Sequence, residues 1–186
     1  MNGPESAASL GPCRECRMQV SLNARTCPHC GAPRPALRDW NGSGFEWKSE
    51  FTVYGYPLVH VAVGRDKTGK LRVAKGIIAI GQFAVGLVTV AQFGVGILFG
   101  FGQFIVGSTA LAQFAVALVF GAGQIASGYV AIGQIVIGYY GLAQAGLAAH
   151  LWSTHHKDPE AARFFADLAE KIGFHVAHWF QQQRRP

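Results

Sequence analysis

IIAIGQFAVGLVTVAQFGVGI (77–97), LFGFGQFIVGSTALAQFAVAL (98–118) and VFGAGQIASGYVAIGQIVIGY (119–139) follow one another in the chain and superpose when written in rows of 21. A partial fourth row, YGLAQAGLA (140–148), comes after them. Residues 76–149 contain no Asp, Glu, Lys, Arg or His. Gln falls in two columns, Gln82, Gln103 and Gln124 in one and Gln92, Gln113 and Gln134 in the other. Each row divides into short units of the form apolar-x-apolar-small-x, such as FAVGL and VTVAQ. A fixed period of this kind marks a stacked-repeat architecture.

Two physical readings compete for this stretch. A long uncharged run suits membrane helices, each needing about 20 apolar residues. A helix of that length would consume a whole row and leave nothing for turns, and no row boundary carries the Lys or Arg of a cytoplasmic loop. Gly and Ala recur at fixed columns between Val, Ile and Phe, which is strand chemistry with turn punctuation. The sequence therefore predicts a mainly β fold, a β-solenoid of about 21 residues per coil. Like residues would stack about 4.8 Å apart. Phe83 would lie beneath Phe104 and Ile125, Phe93 beneath Phe114 and Ile135, and the glutamines would form hydrogen-bonded ladders.

The five-residue rhythm resembles that of pentapeptide-repeat proteins, whose coils have four sides and whose outward positions are polar. Here the second position of each unit reads Ala84, Thr89, Gly94, Phe99, Ile105, Ala110, Ala115, Phe120. Taken as outward, that wall has to be covered by lipid, by copies of the chain or by its own flanks. The order of motifs, a short Cys ribbon, YGYPLVHVAVGRD (54–66), GKLRVAKGIIAIG (69–81) and Gly-spaced apolar repeats, also resembles a largely uncharacterised bacterial group. That resemblance implies no activity.

Outward from the repeat, the four cysteines stand as Cys13-x-x-Cys16 and Cys27-x-x-Cys30. MNGPESAASL has neither the basic start nor the apolar run of a secretory signal, so the pairs point to one tetrahedral Zn²⁺ rather than to disulfides. Arg14, Arg17, Arg25 and Arg34 are close in sequence to offset the thiolates, and His29 reads as a bystander. The expected organisation is a disordered leader (1–12), a zinc ribbon (13–34), a linker (35–50), a β-hairpin cap (51–75), the solenoid (76–149), and a capping helix with tail (150–186). His60 alternates with Val59 and Val61 and reads as a hydrogen-bonded structural residue. In the C-terminal part Asp158 caps a helix, Pro159 and Glu160 open it, and Ala161, Phe165, Leu168, Ile172, Val176 and Trp179 form its apolar stripe. His155, His156, His175 and His178 lack carboxylates at matching spacing for a second metal site.

The net charge is +6, of which +4 falls in residues 51–75 and none in the repeat. Arg65, Lys67, Lys70, Arg72 and Lys75 form a basic edge beside the apolar block, suited to anionic lipid at the cytoplasmic leaflet or to water. Nucleic acid ranks below these because no aromatic platform accompanies the charges. The hydroxyls of the repeat, Thr89, Ser108, Thr109 and Ser127, have no base beside them, which points away from an enzyme. Three functional readings follow. The leading one is a membrane-associated, self-assembling scaffold that displays a cytosolic zinc ribbon. The others are a helical multi-span channel or transporter subunit, and a soluble homo-oligomeric zinc-ribbon adaptor for protein or nucleic acid.

Overall fold

The structure, a computed structural model, describes residues 9–173; the expectations for residues 1–8 and for Val176, Trp179, His175, His178 and the QQQRRP tail fall outside it. The fold is mainly β. In chain order the elements are β1 (Leu10–Pro12), β2 (Gln19–Ser21), β3 (Ser43–Lys48), β4 (Thr52–Val53), β5 (Tyr56–Pro57), β6 (Val59–Arg65), β7 (Val73–Trp152) and α1 (Pro159–Lys171). They fall into two compact units, residues 9–43 with 66–70, and residues 44–65 with 71–173.

The second unit is dominated by β7, an extended run of 80 residues. Its layers stack at half the period read from the sequence. Phe83 stacks on Phe93 with ring centroids 5.5 Å apart, Phe93 on Phe104 at 6.2 Å, and Phe104 on Phe114 at 6.4 Å. Further along, Tyr129 stacks on Tyr139 at 5.1 Å and Tyr140 on His150 at 5.2 Å. Stacked neighbours are thus ten or eleven residues apart, and Phe93 lies between Phe83 and Phe104. The 21-residue row covers two layers, one of ten residues and one of eleven.

The expected direction of the second position is also reversed. Ala84, Thr89, Ile105, Ala110 and Ala115 are at most 2% exposed and form the interior. The reason is the narrowness of a layer. Residues five apart face each other across it, so the two sides share room for little more than one medium side chain. Where one side carries Ile105 the other carries Gly100, and a Cβ at Gly100 would run into the Ile105 side chain. Thr89 is matched by Gly94 and Val136 by Gly141, where an added Cβ would come within 2.6 Å and 3.0 Å of the facing methyl. The Thr89 hydroxyl, fully buried, donates to the Val95 carbonyl at 2.9 Å, which removes the cost of an unpaired polar group. At the corners the chain passes so near the previous layer that a Cβ at Gly102 would strike the carbonyl of Ala91.

Residues 51–75 do not form a simple hairpin. β4 and β5 pair antiparallel around Tyr54 and Gly55, both at positive φ, as a two-residue hairpin turn requires. β6 instead pairs parallel with the start of β7, His60 opposite Ala79 and Ala62 opposite Gly81, so it adds a layer below the first row. β3 lies outside β6 in the order β3-β6-β7, so a strand occupies part of the stretch read as a linker. The turn after β6 is held by Asp66, whose Oδ1 accepts from the Thr68 amide (2.8 Å), the Thr68 hydroxyl (2.7 Å) and the Lys70 amide (3.0 Å).

Helix α1 has the predicted start. The Asp158 side chain accepts from the Glu160 amide at 2.8 Å, Pro159 follows, and Lys171 closes the last turn. Its apolar stripe does not sit on the open end of the stack as a cap. Ala161, Ala162 and Phe165 pack with Val130 and Trp152, and Phe120, Tyr140, Ile132 and Leu142 join them. Those partners fall ten apart in two columns, so the helix lies along one side across the last layers. Ile172, expected in the stripe, is past the helix end and exposed.

Candidate functional site

In the first unit β1 and β2 pair antiparallel, Leu10 opposite Ser21, so part of the expected leader is structured. The turn between them carries Cys13 and Cys16. It is closed by the Cys13 amide on the Met18 carbonyl (2.8 Å) and the Arg17 amide on the Cys13 carbonyl (2.9 Å), with Arg17 at φ 62°. A second turn carries Cys27 and Cys30. There the Gly31 amide donates to the Cys27 carbonyl at 2.9 Å, with Gly31 at φ 76°. The sequence places glycine at one of these left-handed positions and arginine at the other.

The two turns bring all four sulfurs within 4.8 Å of one another. Cys13 Sγ is 3.7 Å from Cys30 Sγ, and Cys16 Sγ is 3.7 Å from Cys27 Sγ. A disulfide needs about 2.05 Å, and the cysteines are free. A tetrahedron with Zn–S arms of about 2.3 Å has edges of about 3.8 Å. The four thiols therefore fit a metal ion, and Zn²⁺ suits an all-sulfur tetrahedron. The thiols differ in their electrostatics. The Cys16 amide donates to the Cys13 sulfur and brings that thiol down to about 7. The Met18 amide favours the Cys16 thiolate too, but burial and the neighbouring thiols outweigh it and push Cys16 up to about 12. Four thiolates this close need the positive charge of a metal to coexist.

Arg14 makes contacts beyond the charge offset expected of the arginines. Arg14 Nη1 donates to the carbonyls of Pro33 (2.6 Å) and Arg34 (3.0 Å), and its guanidinium lies 4.6 Å above the Trp40 ring. It ties residues 33–40 to the ribbon. His29, beside Cys30, is exposed and outside the sulfur cluster.

The second candidate surface is the outside of β7. Because the small residues fill the interior, the large ones point out. Phe93, Phe104 and Phe114 are 48%, 39% and 44% exposed, and the column continues as Ile125 and Ile135. Two residues further on, across the buried position, runs a column of Val85, Val95, Val106, Val116 and Ile137, all exposed, with the half-buried Ser127 between Val116 and Ile137. The two predicted Gln ladders belong to one series, 82, 92, 103, 113, 124, 134, bordering the Phe column. Gln82, Gln92 and Gln103 line a single shallow groove with Val90 and Phe101. Gln82 also accepts from the Gly64 amide at 3.3 Å.

Of the basic edge, Arg65, Lys67, Lys70 and Lys75 are exposed, while Arg72 is half-buried in an ion pair with Glu46. Glu46 was not singled out in the sequence. It also meets Lys48 Nζ at 3.1 Å and His60 Nε2 at 3.3 Å. The Lys48 hydrogen bond, ahead of the Arg72 contacts, holds its carboxyl below the usual range. His60 is buried; the Lys75 amide donates to its Nδ1 at 2.7 Å, and its Nε2 faces Glu46. A second unforeseen pair joins His150 Nδ1 to Asp158 Oδ2 at 2.9 Å, linking the end of β7 to the helix cap. Only the alternation around His60 and the capping role of Asp158 were visible beforehand.

Comparison with known protein families, curated proteins and solved structures returns no match. No described helix is long and apolar enough to cross a membrane.

Proposed function

We propose that this chain is a non-catalytic scaffold: a narrow β-solenoid held against a membrane by an apolar wall that is exposed among the described residues, with a Zn²⁺-bound ribbon displayed on the cytoplasmic side. The outward ladder of Phe83, Phe93, Phe104 and Phe114 carries the reading. The stacking interval and the facing pairs five residues apart support a coil of ten or eleven residues with two long sides. Across the Phe and Val columns the wall spans seven layers, from the row of Phe83 to that of Ala145. At about 4.8 Å per layer this makes roughly 400 Å² in projection, and Ile97, Leu98, Leu118 and Val119, all exposed, extend it round the corner. Apolar surface of that size, broken by Ser127, is often functional. Apart from the Ser127 hydroxyl, the side chains it presents are apolar or amide, which supports adhesion rather than chemistry.

Flotation of the purified zinc-loaded chain with phospholipid vesicles tests the proposal. The expected result is recovery with the vesicles. Recovery as a free monomer in the aqueous phase would sink it. Recovery as a lipid-independent oligomer would transfer the wall to a homo-oligomeric adaptor, the other reading that the stacked columns favour.

A further inference from the structure

Arg17 and Gly31 hold the same place in the two cysteine turns, each directly after the second cysteine of its pair, and both have positive φ. Glycine adopts that conformation freely, whereas a side chain there crowds the backbone. Strain of this kind collects at ligand clamps. An arginine standing where glycine would be relaxed therefore draws attention to its guanidinium. Arg17 borders an open hollow of about 430 Å³, together with Pro12, Cys13, Arg14 and Arg38.

The three arginines of this hollow are not equivalent. Arg14 is fixed, its Nη1 on the carbonyls of Pro33 and Arg34 and its Nε 3.2 Å from Glu15. Arg17 and Arg38 are exposed, and among the described residues their guanidiniums meet no carboxylate. Residues 9–43 hold five arginines against Glu15 and Asp39. Glu15 takes Arg14, and a four-thiolate site with a divalent ion keeps two negative charges for two more arginines to offset. The remaining two outnumber Asp39, so positive charge is left for a ligand. The ribbon's other hollow also has two arginines, Arg25 and Arg34, but Leu22 and Leu37 stand on its wall, which a hydrated oxyanion avoids.

We propose that the hollow bordered by Arg14, Arg17 and Arg38 binds a small phosphate monoester, its dianionic head held by the guanidiniums of Arg17 and Arg38. Guanidinium forks bind phosphate through paired hydrogen bonds. One fork satisfies a carboxylate, and two uncommitted forks on one hollow suit a tetrahedral dianion. The volume falls within the ~300–1,000 Å³ of small-molecule sites and exceeds the need of a bare phosphate, which leaves room for the rest of an ester. A nucleic-acid strand fits less well. It asks for a row of aromatic rings to stack its bases, and Trp40, the only Trp, Phe or Tyr of residues 9–43, already carries the Arg14 guanidinium 4.6 Å over its ring. A soluble ester and a lipid ending in a phosphate monoester present the same head. The proposal goes beyond the membrane reading and does not rest on it.

The test titrates the zinc-loaded full chain with glycerol 3-phosphate and follows amide shifts by NMR. Saturable shifts are expected around residues 12–17 and 38, with acetate and glycerol giving none. Arg17→Gly and Arg38→Gln should each weaken binding at least fivefold, and Arg25→Gln, in the other hollow, should leave it within twofold. Arg17→Gly removes the fork and the strain together, so that variant should keep its zinc and its amide dispersion while losing the ligand. No saturation in the millimolar range, or equal weakening by Arg25→Gln, overturns the site. Acetate binding with the same dependence on Arg17 overturns the phosphate assignment. An oligonucleotide that binds through Arg17 where glycerol 3-phosphate does not would give the hollow to nucleic acid instead. Flotation separates the two sources of the head. A gain in vesicle binding when phosphatidic acid is added to phosphatidylcholine, lost in Arg17→Gly, identifies the lipid, and glycerol 3-phosphate binding without that gain identifies a soluble ester.

Discussion

Replacing Gly100 by alanine puts a methyl group into space that Ile105 already fills. Overpacking of this kind costs about 1–3 kcal/mol. Ile105→Ala alone leaves a cavity and costs about 2–5 kcal/mol. Made together, the two changes reproduce an Ala/Ala pairing like that of Ala110 and Ala115, both buried in this core. The double variant should therefore be more stable than the sum of the singles by at least 1 kcal/mol in a urea-unfolding cycle. Strict additivity would mean that positions five apart do not face each other. Asp158 offers a second residue-scale test. The Glu160 amide and then His150 hold its carboxyl below the ordinary value. A lowered carboxyl stabilises the fold above its unfolded value of about 3.9, and that contribution is lost as pH falls through the lower folded value. Asp158→Ala should cost about 0.5–2 kcal/mol at neutral pH, and the difference from the parent should shrink in acid-unfolding curves below pH ~4. A difference that persists undiminished in acid would assign Asp158 no electrostatic part.

At the scale of elements, α1 and the ribbon each depend on one small set of contacts. Phe165, 3% exposed, is the side chain by which the helix enters the side of the stack. Phe165→Ala should cost about 3–5 kcal/mol of helix docking. It should raise hydrogen exchange in residues 159–171 while leaving residues 77–118 protected, and uniform loss of protection would show that helix and stack unfold as one. The ribbon has a core of four residues, Cys13, Val20, Cys27 and Ala32. We expect a core that small to fold only with a metal bound. Removal of Zn²⁺ by a strong chelator should abolish the amide dispersion of residues 10–35 in NMR spectra and leave the β-type circular dichroism of β7 in place. The cluster of four cysteines was legible because the spacing of the two Cys-x-x-Cys pairs alone specifies it. The helix start was legible because Asp-Pro-Glu is a local signal. The side on which the helix packs was not, because an apolar stripe says that a surface is covered without saying which.

At the scale of the whole molecule, β structure in the repeat was legible while its winding was not. The interval of 21 dominates because layers of ten and eleven alternate, so only every second layer superposes without a gap. Inside and outside were exchanged because bulk is ordinarily the mark of a core. Here Phe93 and Val95 flank Gly94, and only the small residue fits between sides that nearly touch. The shorter winding makes its own prediction. Deleting residues 104–113 removes one layer and brings Phe114 onto Phe93 with the order of columns kept. That variant should retain β-type circular dichroism and its zinc, with Tm lowered only modestly. Deleting 104–108 exchanges the two long sides and should give insoluble protein. If the ten-residue deletion also fails to fold, the 21-residue coil returns.

The outermost strand bears on growth at one end of the stack. β3 is exposed throughout, and its side chains include Glu46 and Lys48, paired with each other at 3.1 Å. A newcomer adding its own strand there would have to strip water from those charges and break the cluster that Glu46 makes with His60 and Arg72. Fibre growth at that margin is thereby discouraged, and further copies of the chain are turned away from that side of the column.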